Sequence, residues 1–168
     1  MSTLMTEPRF EEASISDPEI RKTVETILNE QRSGVLASCF MDIPLCSQMA
    51  FASEADLRTL IIVTPRQTAK FDNMSSNPNV SFLISTACNK PSDPGTAQAL
   101  TVTAFATELD GERRHRAVTL FAQRHPDLSA FASASSSAVM ELKVDSYSLV
   151  NNFQQVTRIG LGEWDAGH

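Results

Sequence analysis

The stretch "TPRQTAKFDNMSSNPNVSFLI", from Thr64 to Ile84, decides the fold, because it joins two predicted strands through a short helix. An apolar, β-branched run ends at Thr64, and a helix is predicted from Pro65 to Asn77. Asn77 ends this helix because a residue that precedes proline disfavours the α conformation. A second strand follows from Asn79 to Thr86. The free N–H groups at the start of the helix favour an anion, and phosphate is the obvious guest.

Two side chains strengthen the prediction of a phosphate site at this turn. Thr68 can add a hydroxyl group and Lys70 a positive charge to the helix N–H groups. Together these groups could hold a dianionic phosphate. A capped surface helix with a solvated lysine explains the same residues, so both interpretations stay open on this evidence.

Strands and helices alternate unevenly along the rest of the chain. Most strands are joined by hairpin-length links, whereas a parallel sheet needs a helix between nearly every pair of strands. The fold class is therefore predicted as α+β, an antiparallel barrel with peripheral helices. The predicted strands are 35–41, 45–53, 59–64, 79–86, 98–109 and 139–150, and the other predicted helices are 18–32 (stopped by Gly34), 112–124 and a short one through Phe131.

Length and charge limit the class of protein. The 168 residues suit a single domain, 1–168, in which we expect residues 1–16 to form an extended N-terminal arm. The 14 basic and 20 acidic side chains give a net charge of −6, which disfavours a nucleic-acid partner. The strongest apolar run, Leu60 to Val63, is far too short to cross a bilayer, so no membrane partner and a cytoplasmic location are expected.

Several common site motifs are missing from the sequence. Cys39, Cys46 and Cys88 show no CxxC spacing, and the three histidines show no metal-ligand spacing, so no metal site is predicted. The chain has no GxGxxG, no GK[ST] and no Gly-x-Ser-x-Gly sequence. No side chain is a compelling acid or base, and the catalytic residues therefore stay unknown.

The stretch around Thr64 resembles a signature of the pyridoxamine 5'-phosphate oxidase-related, FMN-binding split-barrel superfamily. That signature is an apolar strand ending in threonine, then Ser/Thr-x-Lys, then Asn-Pro-x-Val-Ser, and here Thr64, Thr68, Lys70 and residues 77–83 match it in order. "GVLASCFMDIPLCSQMAF", from Gly34 to Phe51, is similar to the first two strands of the family. The resemblance implies a six-stranded antiparallel split β-barrel and a homodimer with FMN at the subunit interface.

The resemblance also implies roles for individual residues. Thr68 and Lys70 would hold the FMN phosphate beside Gln67, and Thr64 would help place the ribityl chain. Main-chain groups of a short strand would lie along the isoalloxazine edge. The second subunit would contribute Gln98 and the segment from Phe153 to Gln155. The residues of that short strand are Ser47, Gln48, Met49 and Ala50.

The resemblance predicts an FMN-dependent oxidoreductase acting on a small molecule. Ala69 stands where the oxidase of pyridoxamine phosphate carries an arginine, which argues against vitamin B6 synthesis. The electron donor stays open between NAD(P)H and an oxidisable amine or alcohol. A non-catalytic FMN carrier or sensor, or a haem-handling protein, is the alternative, because "LVNNFQQVTRI" loosely resembles haem-degrading relatives.

Overall fold

The computed structural model describes residues 7–162, and its elements follow the apolar patterns of the sequence. The first helix starts as predicted, because Asp17 Oδ1 accepts the N–H groups of Glu19 at 2.9 Å and Ile20 at 3.2 Å. The helices are α1 (Pro18–Glu30), α2 (Ala69–Ser76), α3 (Asp93–Thr96), α4 (Gly111–Arg124) and α5 (Ser129–Ser133). The strands are β1 (Arg9–Ser14), β2 (Ser33–Phe40), β3 (Ile43–Ser53), β4 (Thr59–Pro65), β5 (Asn79–Ser85), β6 (Ala99–Glu108), β7 (Ser137–Asn151) and β8 (Gln155–Gly160).

Six strands close into an antiparallel barrel. They are hydrogen-bonded in the order β7, β4, β3, β2, β5 and β6, and a β6–β7 pairing closes the ring. This confirms the predicted α+β fold with a six-stranded split β-barrel. Two further strands were not predicted: β8 pairs with the second half of β7, and β1 pairs in parallel with β8. Part of the expected N-terminal arm is thus the strand β1, and residues 1–6 of that arm lie outside the described residues.

Strand β4 separates two apolar clusters, because residues 59–64 are buried on both of its faces. Leu60 and Ile62 point into the barrel and join its core. Ile61 and Val63 point outward and pack beneath α4 and α5. The continuous apolar run of β4 predicted this double burial. The helices α4 and α5 therefore cover one part of the outside of the barrel.

The hairpin of β2 and β3 differs from the prediction at its turn and at the start of β2. Its turn is at Met41 and Asp42, with φ of 47° and 62°, whereas the turn was predicted one residue later, at 42–44. Gly34 does not stop α1, which ends at Glu30, but lies inside β2. A Cβ atom there would lie 2.6 Å from the Leu83 carbonyl oxygen, so the close approach of β2 to β5 requires glycine.

Across residues 7–162, we find no helix with the length and apolar character needed to cross a membrane. Trp164, for which the sequence shows no contact to a partner subunit, lies outside the described residues.

Candidate cofactor site

A gap opens between β3 and β4 at the end of the barrel where α2 begins. The two strands pair only between residues 51–53 and 60–62. If this register continued for two more residues, Met49 would lie opposite Thr64. At Thr64, however, β4 is paired with β7 and no longer with β3. Residues 43–50 therefore pair with β2 on one edge and, within the described part of the chain, have no strand on the other. Backbone groups on that free edge are available to a ligand.

The hydroxyl of Thr68 fixes the turn that follows β4. It donates to the Pro65 carbonyl oxygen at 2.9 Å and lies 3.1 Å from Thr64 Oγ1. As the N-cap of α2 it also accepts the Phe71 N–H at 3.4 Å. Thr64 is completely buried, so its hydroxyl supports Thr68 in this protomer. The role of Thr64 beside a ribityl chain stays a prediction.

The start of α2 leaves two kinds of group for an anion. The first N–H groups of a helix have no partner inside it, and the cap takes only that of Phe71, which leaves those of Ala69 and Lys70. Lys70 is partly buried, and none of the ion pairs among residues 7–162 includes it. Gln67, predicted beside the phosphate, is exposed in the same turn.

The second cation at this turn, the guanidinium group of Arg66, already has partners within the protein. Arg66 donates through Nη1 to the carbonyl oxygens of Ser135 at 2.8 Å and Ser137 at 3.0 Å, and it forms an ion pair with Glu108. It therefore ties the turn to β6 and to the start of β7. Lys70 is left as the cation that can meet an incoming anion.

An amide anchors α2 over the barrel. Asn73 Nδ2 donates to Oγ of Ser38 at 3.1 Å, and Ser38 is buried in β2. This bond ties α2 to β2 across the end of the barrel. No sequence pattern indicates this role of Asn73, because an asparagine inside a helix carries no signal of its partner in a distant strand.

The predicted strand 47–50 presents its side chains to opposite sides. Ser47 and Met49 face the barrel interior, since Ser47 pairs with the buried Leu36 and Met49 belongs to the core. Gln48 and Ala50 therefore face outward, and Gln48 donates through Nε2 to Ser33 Oγ at 2.9 Å. These four side chains cannot all meet one ligand. Their main-chain groups on the free edge can, as the resemblance implies.

Gln98 lies far from the turn around Thr68 within one protomer. Its Nε2 donates to Asn151 Oδ1 at 2.8 Å, at the end of β7, whereas Pro65 pairs with Ser137 at the start of β7. Those two ends are roughly 46 Å apart along an extended strand of this length. One protomer therefore does not bring Gln98 to Thr64, Thr68 and Lys70.

A large part of the barrel surface lacks charge. We call the outward residues of β2, β5 and β6 the outer sheet face, and Leu83 and Phe105 are 41% and 51% exposed on it. Cys46, which the sequence suggests as a packed residue, is exposed beside this face. The residues of the outer sheet face are Ser33, Val35, Ala37, Cys39, Asn79, Ser81, Leu83, Ser85, Ala99, Thr101, Thr103, Phe105 and Thr107.

The described histidines lie away from the gap. His125 is buried behind α4 with Nε2 2.7 Å from the Phe51 carbonyl oxygen, and His115 is exposed on α4. Within residues 7–162, no group of three histidine, cysteine or acidic side chains is placed to hold a metal ion. His168 lies outside the described residues.

Solved structures share this fold at low sequence identity. A heme binding protein from Mycobacterium smegmatis has a TM-score of 0.72 and 16% identity, over 82% of this chain and 56% of that one. General Stress Protein 26 from Bacillus anthracis has a TM-score of 0.62 and 21% identity, over 83% of this chain and 98% of that one. A FAD-binding protein from Mesorhizobium loti has a TM-score of 0.62 and 14% identity, over 77% of this chain and 90% of that one. This chain thus spans little more than half the length of the M. smegmatis protein.

The family comparison rests on the sequence itself. No curated protein matches the chain. Residues 20–151, which run from α1 to the end of β7 and include the gap and the turn around Thr68, match the family model for pyridoxamine 5'-phosphate oxidase. Because this match covers most of the sequence and the barrel is that of a split-barrel protein, the chain belongs to the pyridoxamine 5'-phosphate oxidase family.

Proposed function

We propose that this protein is a cytoplasmic, homodimeric flavoprotein that binds FMN in the gap between β3 and β4 and oxidises or reduces a small molecule. The observation that carries the proposal is the position of the gap. Strand pairing between β3 and β4 stops at Ile62, two residues before Thr64, and the free N–H groups of α2 begin at Ala69, five residues after Thr64. A backbone edge and an anion site therefore lie next to each other.

The turn around Thr68 suits the phosphate of FMN. The N–H groups of Ala69 and Lys70 and the Lys70 ammonium group would donate to its oxygens, as is common at helix N-termini. Thr68 and Thr64 would keep the turn in shape, since their hydroxyl groups already bond to one another and to Pro65. Thr68 can also turn its proton toward a phosphate oxygen. The site is thus preformed before the ligand arrives.

The free edge of β3 suits the ring system. Main-chain N–H and C=O groups of residues 47–50 can meet the polar edge of a flavin, while the side chains of Ser47 and Met49 stay on the barrel side. FMN, when bound, would supply the electron transfer that no side chain here provides. The protein's own part is to position the ring and to exclude water from one of its edges.

The outer sheet face supports a homodimer. Its residues are uncharged and include the exposed apolar side chains of Leu83 and Phe105, and such a surface is typical of a protein interface. A second subunit would also explain how Gln98 reaches a flavin, because it lies at the far end of β7 from Thr68. We therefore expect each FMN to contact both subunits.

The visible spectrum of the purified protein tests the cofactor. The proposal predicts the bands of an oxidised flavin, which bleach when NADH or NADPH reduces it. A Soret band with no flavin would instead show a haem protein, which is what one structural neighbour is called. The bleaching experiment, followed by a screen of electron acceptors, would then narrow the substrate.

Subunit mixing tests the composite site. Lys70→Ala and Gln98→Ala dimers should each bind FMN weakly, while a mixed dimer contains one intact site and should recover about half of the wild-type binding capacity. Point variants are needed, because removing the chain from Asn151 onward would delete β8 and its pairings with β7 and β1. If mixing restores no binding, each site lies within one protomer.

A further inference from the structure

Strand β1 ends the sheet and leaves one of its edges open. It pairs with β8 on one side, and across residues 7–162 no strand lies on its other side. An open edge presents a row of unpaired N–H and C=O groups, which is a template for pairing with another chain. The fold therefore offers β1 as a place where one more strand can be added.

The hydrogen bonds between β1 and β8 show which backbone groups face the open edge. The Arg9 N–H donates to the Gln154 carbonyl oxygen at 3.0 Å, and the Ile15 N–H donates to that of Gly160 at 2.9 Å. In a parallel pair these bonds use every second residue of a strand, so the odd-numbered residues of β1 bond to β8. The N–H and C=O groups of the even-numbered residues, including Phe10, therefore point to the open edge.

The side chains of β1 place an aromatic group between two opposite charges. Phe10 is 72% exposed, and its side chain points away from the barrel core, against which Ala13 packs on the opposite face. Arg9 and Glu11 flank it, and both are exposed and belong to no ion pair among residues 7–162. A matching strand carries the same three kinds of group in reverse order, and an antiparallel second copy of β1 does so.

The charges select one register for such a pair. With a two-fold axis at Phe10, this residue lies opposite its own copy and exchanges two hydrogen bonds with it, while each Arg9 lies opposite the Glu11 of the other copy. Directly opposite charges of unlike sign stabilise an antiparallel pair. An axis at Arg9, Glu11 or Glu12 would instead set a charged residue against its own copy. Pro8 has no N–H and ends the ladder.

We infer that the open edge of β1 is a self-association surface, on which a second copy of this protein adds its own β1 in the register centred on Phe10. The inference goes beyond the proposed function, because it involves neither the outer sheet face nor the turn around Thr68. So short a strand pair buries little surface, so it joins copies weakly and in addition to the proposed dimer.

Disulfide trapping tests the register directly. When Arg9→Cys protein is mixed with Glu11→Cys protein, the two new cysteines lie opposite each other with Cα atoms about 4.5 Å apart, within disulfide range. In either variant alone the new cysteines are offset by two residues, about 8 Å apart, which is too far. With oxidised glutathione as the electron acceptor, the mixture should form cross-linked pairs at least about tenfold faster than either variant alone. Wild-type protein measures the background from Cys39, Cys46 and Cys88.

A charge exchange tests the pairing without new cysteines. Arg9→Glu sets like charges opposite each other twice and should weaken the association of copies, measured by sedimentation at high protein concentration, by about ten- to a hundredfold. The double variant Arg9→Glu/Glu11→Arg exchanges both pairs and should return to within about threefold of the wild type. Lys90→Glu, in an exposed loop, makes the same change in net charge as Arg9→Glu and should have no effect.

Three outcomes overturn the inference. They are equal trapping rates in the mixture and in the single variants, a double variant that associates as weakly as Arg9→Glu, and a wild-type protein that shows no association beyond the proposed dimer. FMN affinity should stay at the wild-type value in all of these variants. Failure of the β1 pairing therefore leaves the proposed function standing, and a protein that binds no FMN leaves the β1 pairing standing.

Discussion

The two turns at the ends of β7 have opposite character. Around Thr68, next to the start of β7, each hydroxyl group has a partner, the helix cap is in place and the backbone is ordinary. After Asn151, at the end of β7, three residues in a row are left-handed and a buried oxygen is unpaired. The first turn is complete in one protomer, whereas the second leaves an acceptor unpaired among the described residues.

This contrast suggests a division of labour between the turns. A preformed turn suits a ligand part that never changes, such as the phosphate of a cofactor. The strained turn follows Asn151, which accepts the hydrogen bond of Gln98, so under the proposed function it would lie beside the partner's half of the site. Since the two turns lie at opposite ends of β7, a single flavin can meet both only across a subunit interface.

The largest effect is expected from a substitution that separates the two proposed subunits, and with them the turn around Thr68 of one subunit from the turn after Asn151 of the other. Leu83→Lys places a charge in the centre of the outer sheet face, where burying it without a partner costs about 3 kcal/mol or more. The dimer dissociation constant should rise more than about a hundredfold, as measured by analytical ultracentrifugation. FMN affinity should fall with it.

A matched control for this change is Thr119→Lys, which puts the same charge on the exposed side of α4. It should leave the dimer intact. A Leu83→Lys monomer that keeps wild-type FMN affinity would show that the site lies within one protomer and that the two turns work independently.

The next effect concerns the preformed turn. Thr68→Ala removes the N-cap of α2 and the partner of the buried Thr64 hydroxyl, which should lower the free energy of unfolding by about 1–2 kcal/mol. Urea unfolding measures this. Thr119→Ala removes a hydroxyl that bonds only within its own helix and should change stability by less than about 0.5 kcal/mol. Equal losses in both variants would show that the turn around Thr68 is not specially stabilised.

The strained turn should respond in the opposite direction. Asn152→Gly relieves a left-handed backbone and should raise the free energy of unfolding by about 0.5–1 kcal/mol. Asn29→Gly, in the helix α1, should lower it, because glycine is unfavourable in a helix. A loss of stability in Asn152→Gly would mean that its side chain contributes more than its backbone costs.

The smallest effect is expected at Glu54, which lies outside both turns. Burial, with the carboxylates of Asp56 and Glu141 nearby, raises the pKa of the Glu54 carboxyl group. The folded state thus favours the neutral form, and stability is lost as pH rises from the usual carboxyl range through the raised pKa. Glu54→Gln should therefore raise the melting temperature at pH 7 and leave it unchanged below the usual carboxyl range. The same shift at both pH values would assign the effect to packing.

The sequence predicted the barrel and the preformed turn because both depend on local patterns. Alternating apolar residues predict strands, and Thr68 followed by Lys70 after a buried strand predicts a capped helix with a cation at its start. The family resemblance added the six-stranded split form of the barrel. The residues of the turn around Thr68 are close neighbours in the sequence.

The remaining features depend on contacts that no local pattern contains. The gap beside Met49 exists because β4 separates from β3 after Ile62 while it stays paired with β7, and no sequence pattern in either strand marks this separation. Strand β1 carries the mostly polar sequence RFEEAS and forms only because β8 offers it an edge. Asparagine is enriched at positive φ, so Asn152 is a weak signal, but no sequence pattern indicates this conformation for Phe153 or Gln154.

The central claim is that the turn around Thr68 binds the phosphate of FMN, and titration with FMN and riboflavin tests it most directly. These ligands share the ring and the ribityl chain and differ in the phosphate. Wild-type protein should bind FMN at least about tenfold tighter, and Lys70→Ala should weaken FMN by about ten- to a hundredfold while leaving riboflavin unchanged. Lys90→Ala, in an exposed loop, is the control and should match the wild type. Equal affinities of the wild type for FMN and riboflavin, or an unchanged FMN affinity in Lys70→Ala, would contradict the account.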